Sequence, residues 1–416
     1  MALEYVPLRV GQGILASALG EDGISIIDTI PTIYSYSKSG VYEKHAVLKG
    51  FKSYLHRYSK ASAVSFDGKF ALLCEMQCNK VMLFNLVSRR VVTRIELDKG
   101  PEFCVFSSDS SYFAFSNSVG RFVIYNTALC EMYHQISLID AVSSAVFSDD
   151  MSHIAIASLN KIVYIYNMEK KEIVNSFEMQ DYIEGMTYSR DNVNVVVYAR
   201  SGNTCVLNVI LNKMYIADPC SEWPTVLACE KNATISLLGT RSNQLHLYTR
   251  ANGNKIASIS LEYWGITSIS IYDKQIFVGF SDGNGMIIDN TKAIADVDAA
   301  LEAKDYEKLC LLVCEYPLVF SNSVVCQKIE KHYSEILNYR AQGHNEKIGF
   351  ESLVSFLLSA NISRSKLLKL MYSLDEISDF MASIEEAKKD VACKIAYKVP
   401  LLRQIKEFTE IKSECH

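Results

Sequence analysis

The sequence predicts an all-β ring, a seven-bladed propeller over residues 1–293, followed by an all-α segment over residues 294–416. Three observations predict this. Asn85, Asn126, Asn167 and Asn208 each follow the last by 41 positions, and each comes after a large apolar residue: Phe84, Tyr125, Tyr166 and Leu207. A second marker series, Phe66, Phe106, Phe147, Tyr188 and Cys229, keeps nearly the same step and closes an apolar run before a polar turn. After Asn290 the strand-like alternation stops and apolar residues recur at helical spacing.

Within a period, several short runs rich in Val, Ile, Phe and Tyr are separated by Asp, Gly, Asn and Ser. The unit beginning at Asp140 predicts strands over residues 142–147, 153–157, 161–166 and 172–177. The turns read Asp67-Gly68, Ser108-Asp109, Asp149-Asp150 and Arg190-Asp191-Asn192. Four short strands in about 40 residues, repeated, mark propeller blades. One small twisted sheet cannot bury both of its faces alone, so the units must stack side by side.

The Phe/Tyr-Asn pairs stand where WD40-like and YVTN-like propellers carry a Trp-Asp dipeptide, and Phe66-Asp67-Gly68 resembles the first turn of such a blade. Residues 1–293 therefore resemble that superfamily, with no Trp-Asp and no Gly-His at the blade openings. The resemblance implies a WD40-like repeat protein used in protein–protein interaction.

Blade one is expected over residues 10–50. Blades two to six follow near 54–98, 99–139, 140–180, 181–221 and 222–262. Blade seven, over 263–293, supplies only three strands. Its missing fourth strand would leave an open edge, and the segment Ala2–Val10, with Leu3, Tyr5, Val6 and Leu8, is expected to fill that place.

In the tail, Leu309, Leu312, Val313, Leu353, Leu357 and Leu358 fall on helical periods, with breaks at Pro317, Gly343 and Pro400 and caps at Asn361 and Ser363. Five to seven helices are expected, stacked as a solenoid or bundle that docks in an assembly. The alternating basic run Lys388–Lys412 is diluted by Glu407, Glu410 and Glu414, and reads as a solvated helix face.

Composition narrows the function. Apolar residues are 49% of the chain, charged residues 21%, and the formal net charge is −5. That balance disfavours a nucleic-acid partner. No apolar run is long enough for a membrane span. Twelve cysteines without regular spacing suit reduced thiols in a cytoplasmic protein. Cys74/Cys78 and Cys310/Cys314 lack the second ligand pair a zinc site needs, and Cys310 and Cys314 are expected in a helix core. No metal and no cofactor is expected. Gly-x-Ser-x-Gly, phosphate loops and His-Glu-x-x-His are absent. Residues 281–285 lack the ligands of a calcium loop and read as a hairpin turn.

One constellation stands out. The 41-residue phase places Tyr182, Trp223 and Trp264, including both tryptophans of the chain, in the loops that lead from one blade to the next. The same phase places Arg200, Arg241 and then Asp282 in the turns between second and third strands, on the same face, with Glu102 and Glu184 nearby. Trp, Tyr and Arg are the residues enriched in binding hot spots. The competing expectation is that these aromatics wedge between blades as filler. The expected function is a non-enzymatic interaction scaffold whose rim binds a peptide or protein. The alternatives are an assembly or maturation factor for a redox or transport complex, and a propeller that binds a ligand or acts as an enzyme through its channel.

Overall fold

The computed structural model describes residues 5–336 apart from 22, 30–31, 38–41, 46–61, 76–78 and 231–232, and beyond 336 only Leu353, Phe356, Leu357, Ser383 and Val391. The chain divides into two compact units between Asn290 and Thr291.

The first unit contains seven antiparallel sheets of four strands each, a seven-bladed propeller. Blade five is representative. Its strands Ile183–Tyr188, Asn194–Ala199, Thr204–Asn208 and Lys213–Ile216 pair in sequence order. The first strand of every blade contacts the first strands of both neighbours, so these strands line the centre. Second and third strands are mostly buried, as in Asn194–Ala199 with Val195, Val196, Val197 and Tyr198. Fourth strands are more exposed, as in Arg90–Glu96, where exposed and half-buried residues alternate. The core is accordingly a set of inter-blade clusters, such as Phe103, Phe122 and Ile124 of blade three against Val142, Phe147 and Ile156 of blade four.

The 41-residue step has a physical cause in two kinds of turn. Each marker asparagine ends a third strand and accepts, through Oδ1, the N–H three residues on: Ser88 at 2.7 Å, Leu129 at 2.9 Å, Lys170 at 2.8 Å and Leu211 at 2.7 Å. The residue after each donor adopts the left-handed conformation: Arg89, Cys130, Lys171 and Asn212. The first turns use a serine and an aspartate instead. Ser65, Ser107, Ser148 and Ser189 donate to Asp67, Asp109, Asp150 and Asp191 at 2.5–2.7 Å. Each serine oxygen also accepts the N–H five residues on. These side chains satisfy turn N–H groups that the sheet leaves unpaired.

Blade seven departs from the step. Gln275 pairs with Asp289, as Asn194 pairs with Asn208, so Asp289 holds the marker position and Asn290 lies one residue beyond it. Its outermost strand comes from the other end of the chain. Tyr5–Arg9 runs antiparallel to Asn284–Asp289, from Tyr5 opposite Ile288 to Arg9 opposite Asn284. The ring also closes at its centre. Ser17 of blade one meets Ser268 at 2.6 Å and Ser270 at 3.1 Å. A Cβ on Gly279 of blade seven would lie 2.8 Å from Ile14 Cγ2, so only glycine allows this approach. Of residues 281–285, 281–283 form the turn between the second and third strands of this blade and 284–285 begin the third, with Asp282 Oδ1 accepting the Asn284 N–H at 3.0 Å.

The second unit contains helices α1 (Thr291–Glu302), α2 (Tyr306–Glu315) and α3 (Ser323–Lys331), with a 3₁₀ turn at Pro317–Ser321. Asp305 caps α2 by accepting the Lys308 N–H, and Asn322 caps α3 by accepting from Val324 and Val325. Val297, Leu301, Leu309, Val313, Val325 and Ile329 are buried. Cys310 is buried as expected, but Cys314 is exposed, because it sits at the solvent edge of the α2 stripe. Residues 333–336 are helical as well, and these short helical pieces are what the described residues contain between 291 and 336. The caps at Asn361 and Ser363, the breaks at Gly343 and Pro400, and the Lys388–Lys412 run apart from Val391 lie outside the described residues, as do Ala2–Glu4, residues 46–50 of blade one and Cys78. Among the described residues no helix is long and apolar enough to cross a membrane.

The N-terminal strand gives the first testable consequence. An edge strand tolerates proline only where the nitrogen turns away from its partner, so Pro7 assigns the ladder bonds to Val6 and Leu8. Leu8→Pro should therefore lower stability by about 2–3 kcal/mol, through lost ladder bonds of roughly 1 kcal/mol each and a distorted strand. Pro7→Ala should change it by less than about 0.5 kcal/mol. Denaturant unfolding of the two variants checks this, and equal midpoints for both would contradict the pairing.

Candidate binding rim

Two kinds of segment meet on one face of the ring: the loops entering each first strand and the turns joining second to third strands. In four successive blades they are tied by the same backbone hydrogen bond. Ser118 donates to Gly100, Leu159 to Ala141, Arg200 to Tyr182 and Arg241 to Trp223, at 2.8–3.2 Å. Acidic side chains reinforce the tie. Asp181 accepts the N–H of Tyr182 at 2.7 Å and of Ser201 at 2.8 Å. Glu222 accepts from Thr240 Oγ1 at 2.9 Å and from the Ser242 hydroxyl. Burial pushes the Asp181 carboxyl up, but these N–H groups and the Arg200 guanidinium outweigh it and hold the pKa below the ordinary value.

Four of the five residues singled out in the sequence come together on this framework. The Arg200 guanidinium lies between two rings, 4.9 Å from the centre of Tyr182 and 5.2 Å from that of Trp223. Arg241 lies 5.3 Å from the Trp223 ring. Lys161, from the corresponding turn of blade four, lies 5.2 Å from the Tyr182 ring. The result is an alternating stack across blades four, five and six: Lys161, Tyr182, Arg200, Trp223, Arg241. Arg200 Nε also donates to Glu184 Oε1 at 2.6 Å, in a largely buried ion pair. Tyr182 and Trp223 are half-buried and Arg241 is exposed. The two rings are thus neither fully buried nor fully exposed.

Trp264 departs from the expected phase. Ile266 pairs with Phe280 where blade six pairs Pro224 with Thr240, and Ser281 donates to Gly265 where Arg241 donates to Trp223. Gly265 thus holds the position of Trp223, and Ser281, not Asp282, holds that of Arg241. The cause is an extra residue before the first strand of blade seven and two fewer between that strand and the second. Gly265 has φ +71°, and a Cβ there would meet Ser281 Oγ at 2.6 Å. Trp264 sits one residue earlier in the same loop, 67% exposed.

The sequence reading missed Lys161 and the acidic clamps. Asp140, Asp181 and Glu222 are themselves 41 residues apart, so the clamps carried a signal. Lys161 carried none, since its reach to Tyr182 depends on its left-handed turn conformation, φ +63°. Among the described residues no three His, Cys, Asp or Glu side chains gather as a metal site. No protein-family model matches the chain, and no curated protein matches it in sequence.

Blade four holds the same loop-to-turn bond with Ala141 and Leu159 in place of an aromatic and an arginine. Trp223→Ala should therefore cost at most about 2 kcal/mol, the sum of two cation–π contacts of roughly 0.5–1 kcal/mol each. Thermal melting checks this. A loss of about 3–5 kcal/mol, as for a core aromatic, would make Trp223 a packing residue.

Proposed function

We propose that this protein is a non-enzymatic interaction scaffold whose propeller rim binds a peptide or protein partner. One observation carries the proposal. The rim framework closes in blades three and four with Gly100, Ser118, Ala141 and Leu159, so the fold does not require the aromatic and arginine side chains that blades five and six place there. Side chains surplus to the fold, half-exposed and held rigid by stacking, are the ingredients of a binding hot spot. Tyr182 and Trp223 offer large contact area at low entropic cost, and Arg200 and Arg241 offer planar donors.

On this reading the chain is a degenerate WD40-like repeat protein, and the segment from Thr291 onward is an all-α docking module. Cys130, Cys205, Cys220, Cys229 and Cys314 carry free thiols, which supports a cytoplasmic setting. Affinity capture with the wild-type chain and with Trp223→Ala tests the proposal. A partner held in stoichiometric amount by the wild type and lost at least tenfold by the variant is expected. Equal capture by both would overturn the rim as the binding surface.

A further inference from the structure

The chemistry of the stack also selects its ligand, granted that the rim is a binding surface. A stack of aromatic rings could serve a cation, as in cages that hold ammonium groups. Here that place is taken. Arg200 occupies the space between Tyr182 and Trp223 and is fixed there by Glu184. An incoming cation would have to displace a paired guanidinium.

The two ends of the stack are different. Lys161 has the Tyr182 ring and the Gln180 carbonyl at 3.2 Å, and Arg241 has the Trp223 ring. Neither forms an ion pair among the described residues. Ring faces orient a cation without neutralising it, so both ends present a held positive charge. The nearby carboxylates are committed elsewhere: Asp181 to two N–H groups, Glu184 to Arg200 and Glu222 to two hydroxyls. The four contacts from Lys161 to Arg241 measure 4.9–5.3 Å each, so the stack spans at most about 21 Å. An extended chain covers that distance in roughly six residues at about 3.3–3.6 Å per residue.

We propose that the rim across blades four to six binds an extended acidic peptide segment, with carboxylates up to about six residues apart on Lys161 and Arg241 and its middle against Tyr182 and Trp223. Carboxylates fit better than phosphates, because Asp181, Glu184 and Glu222 repel a dianion more strongly than a single charge.

The test uses the full chain carrying Trp264→Phe, which leaves Trp223 as the sole tryptophan reporter. Three hexapeptides of the same apolar middle are titrated against its fluorescence, with glutamate, glutamine or phosphoserine at both ends. The glutamate peptide should bind roughly three- to tenfold tighter than the glutamine peptide at low salt, as two exposed charge contacts allow. Added salt should erase the difference. Lys161→Gln and Arg241→Gln should erase it too while lowering the melting temperature by no more than about 4 °C, and Arg241→Lys should keep most of it. Equal binding of the glutamate and glutamine peptides, with both perturbing Trp223 fluorescence, would overturn the acidic ligand and leave the rim standing. Tighter binding of the phosphoserine peptide would overturn the carboxylate assignment. If no peptide perturbs Trp223, the rim reading fails as well.

Discussion

Everything in the propeller depends on a four-stranded sheet having two apolar faces and no means of covering either alone. Each blade needs a neighbour on both sides, so the row of sheets has to close. Closure is made twice. At the periphery Tyr5–Arg9 pairs with Asn284–Asp289, joining the two ends of the unit by hydrogen bonds. At the centre Gly279 lets Ile14 approach, and Ser17 bonds to Ser268 and Ser270. The outer closure removes an open edge from blade seven, and the inner one removes an open face.

The fold was legible because its turns are specified by single residues. In blades two to five an asparagine at the end of the third strand and a Ser-x-Asp at the first turn satisfy backbone groups locally, so they recur with the blade. Where spacing changes, as in blade seven, counting by 41 assigns Trp264 and Asp282 to positions that Gly265 and Ser281 occupy. The candidate rim was legible in part. Its aromatic and arginine residues follow the period, so phase arithmetic found Tyr182, Arg200, Trp223 and Arg241. Phase could not give the contacts between them, nor Lys161, which depend on side-chain reach from a neighbouring blade.

A second group was invisible because it breaks the period. Arg250 follows the third strand of blade six, where other blades carry Leu86, Thr127, Met168 and Val209. It is 2% exposed. Its guanidinium donates to the Tyr188 carbonyl at 2.7 Å, the Ala233 carbonyl at 2.9 Å and Asp149 Oδ2 at 3.0 Å, and so fastens blades four, five and six together. The strand order puts this residue on the opposite face from the rim. Two arginines of one blade, nine positions apart, thus have separate tasks. Arg250 is enclosed by carbonyls and a carboxylate within the fold, while Arg241 is oriented by a ring and faces outward.

That separation of a stabilising face from a binding face is the central claim, and the thermal midpoints of Arg250→Met and Arg241→Met in one buffer test it most directly. Removing Arg250 takes away the guanidinium that pairs with buried Asp149 and bonds two carbonyls, a loss of about 3–5 kcal/mol. At roughly 2–4 °C per kcal/mol this lowers the midpoint by about 6–20 °C. Removing Arg241 should move it by no more than about 2–4 °C, the equivalent of one cation–π contact. Midpoints lowered equally by both substitutions would show that the rim arginine belongs to the fold, and would contradict the account.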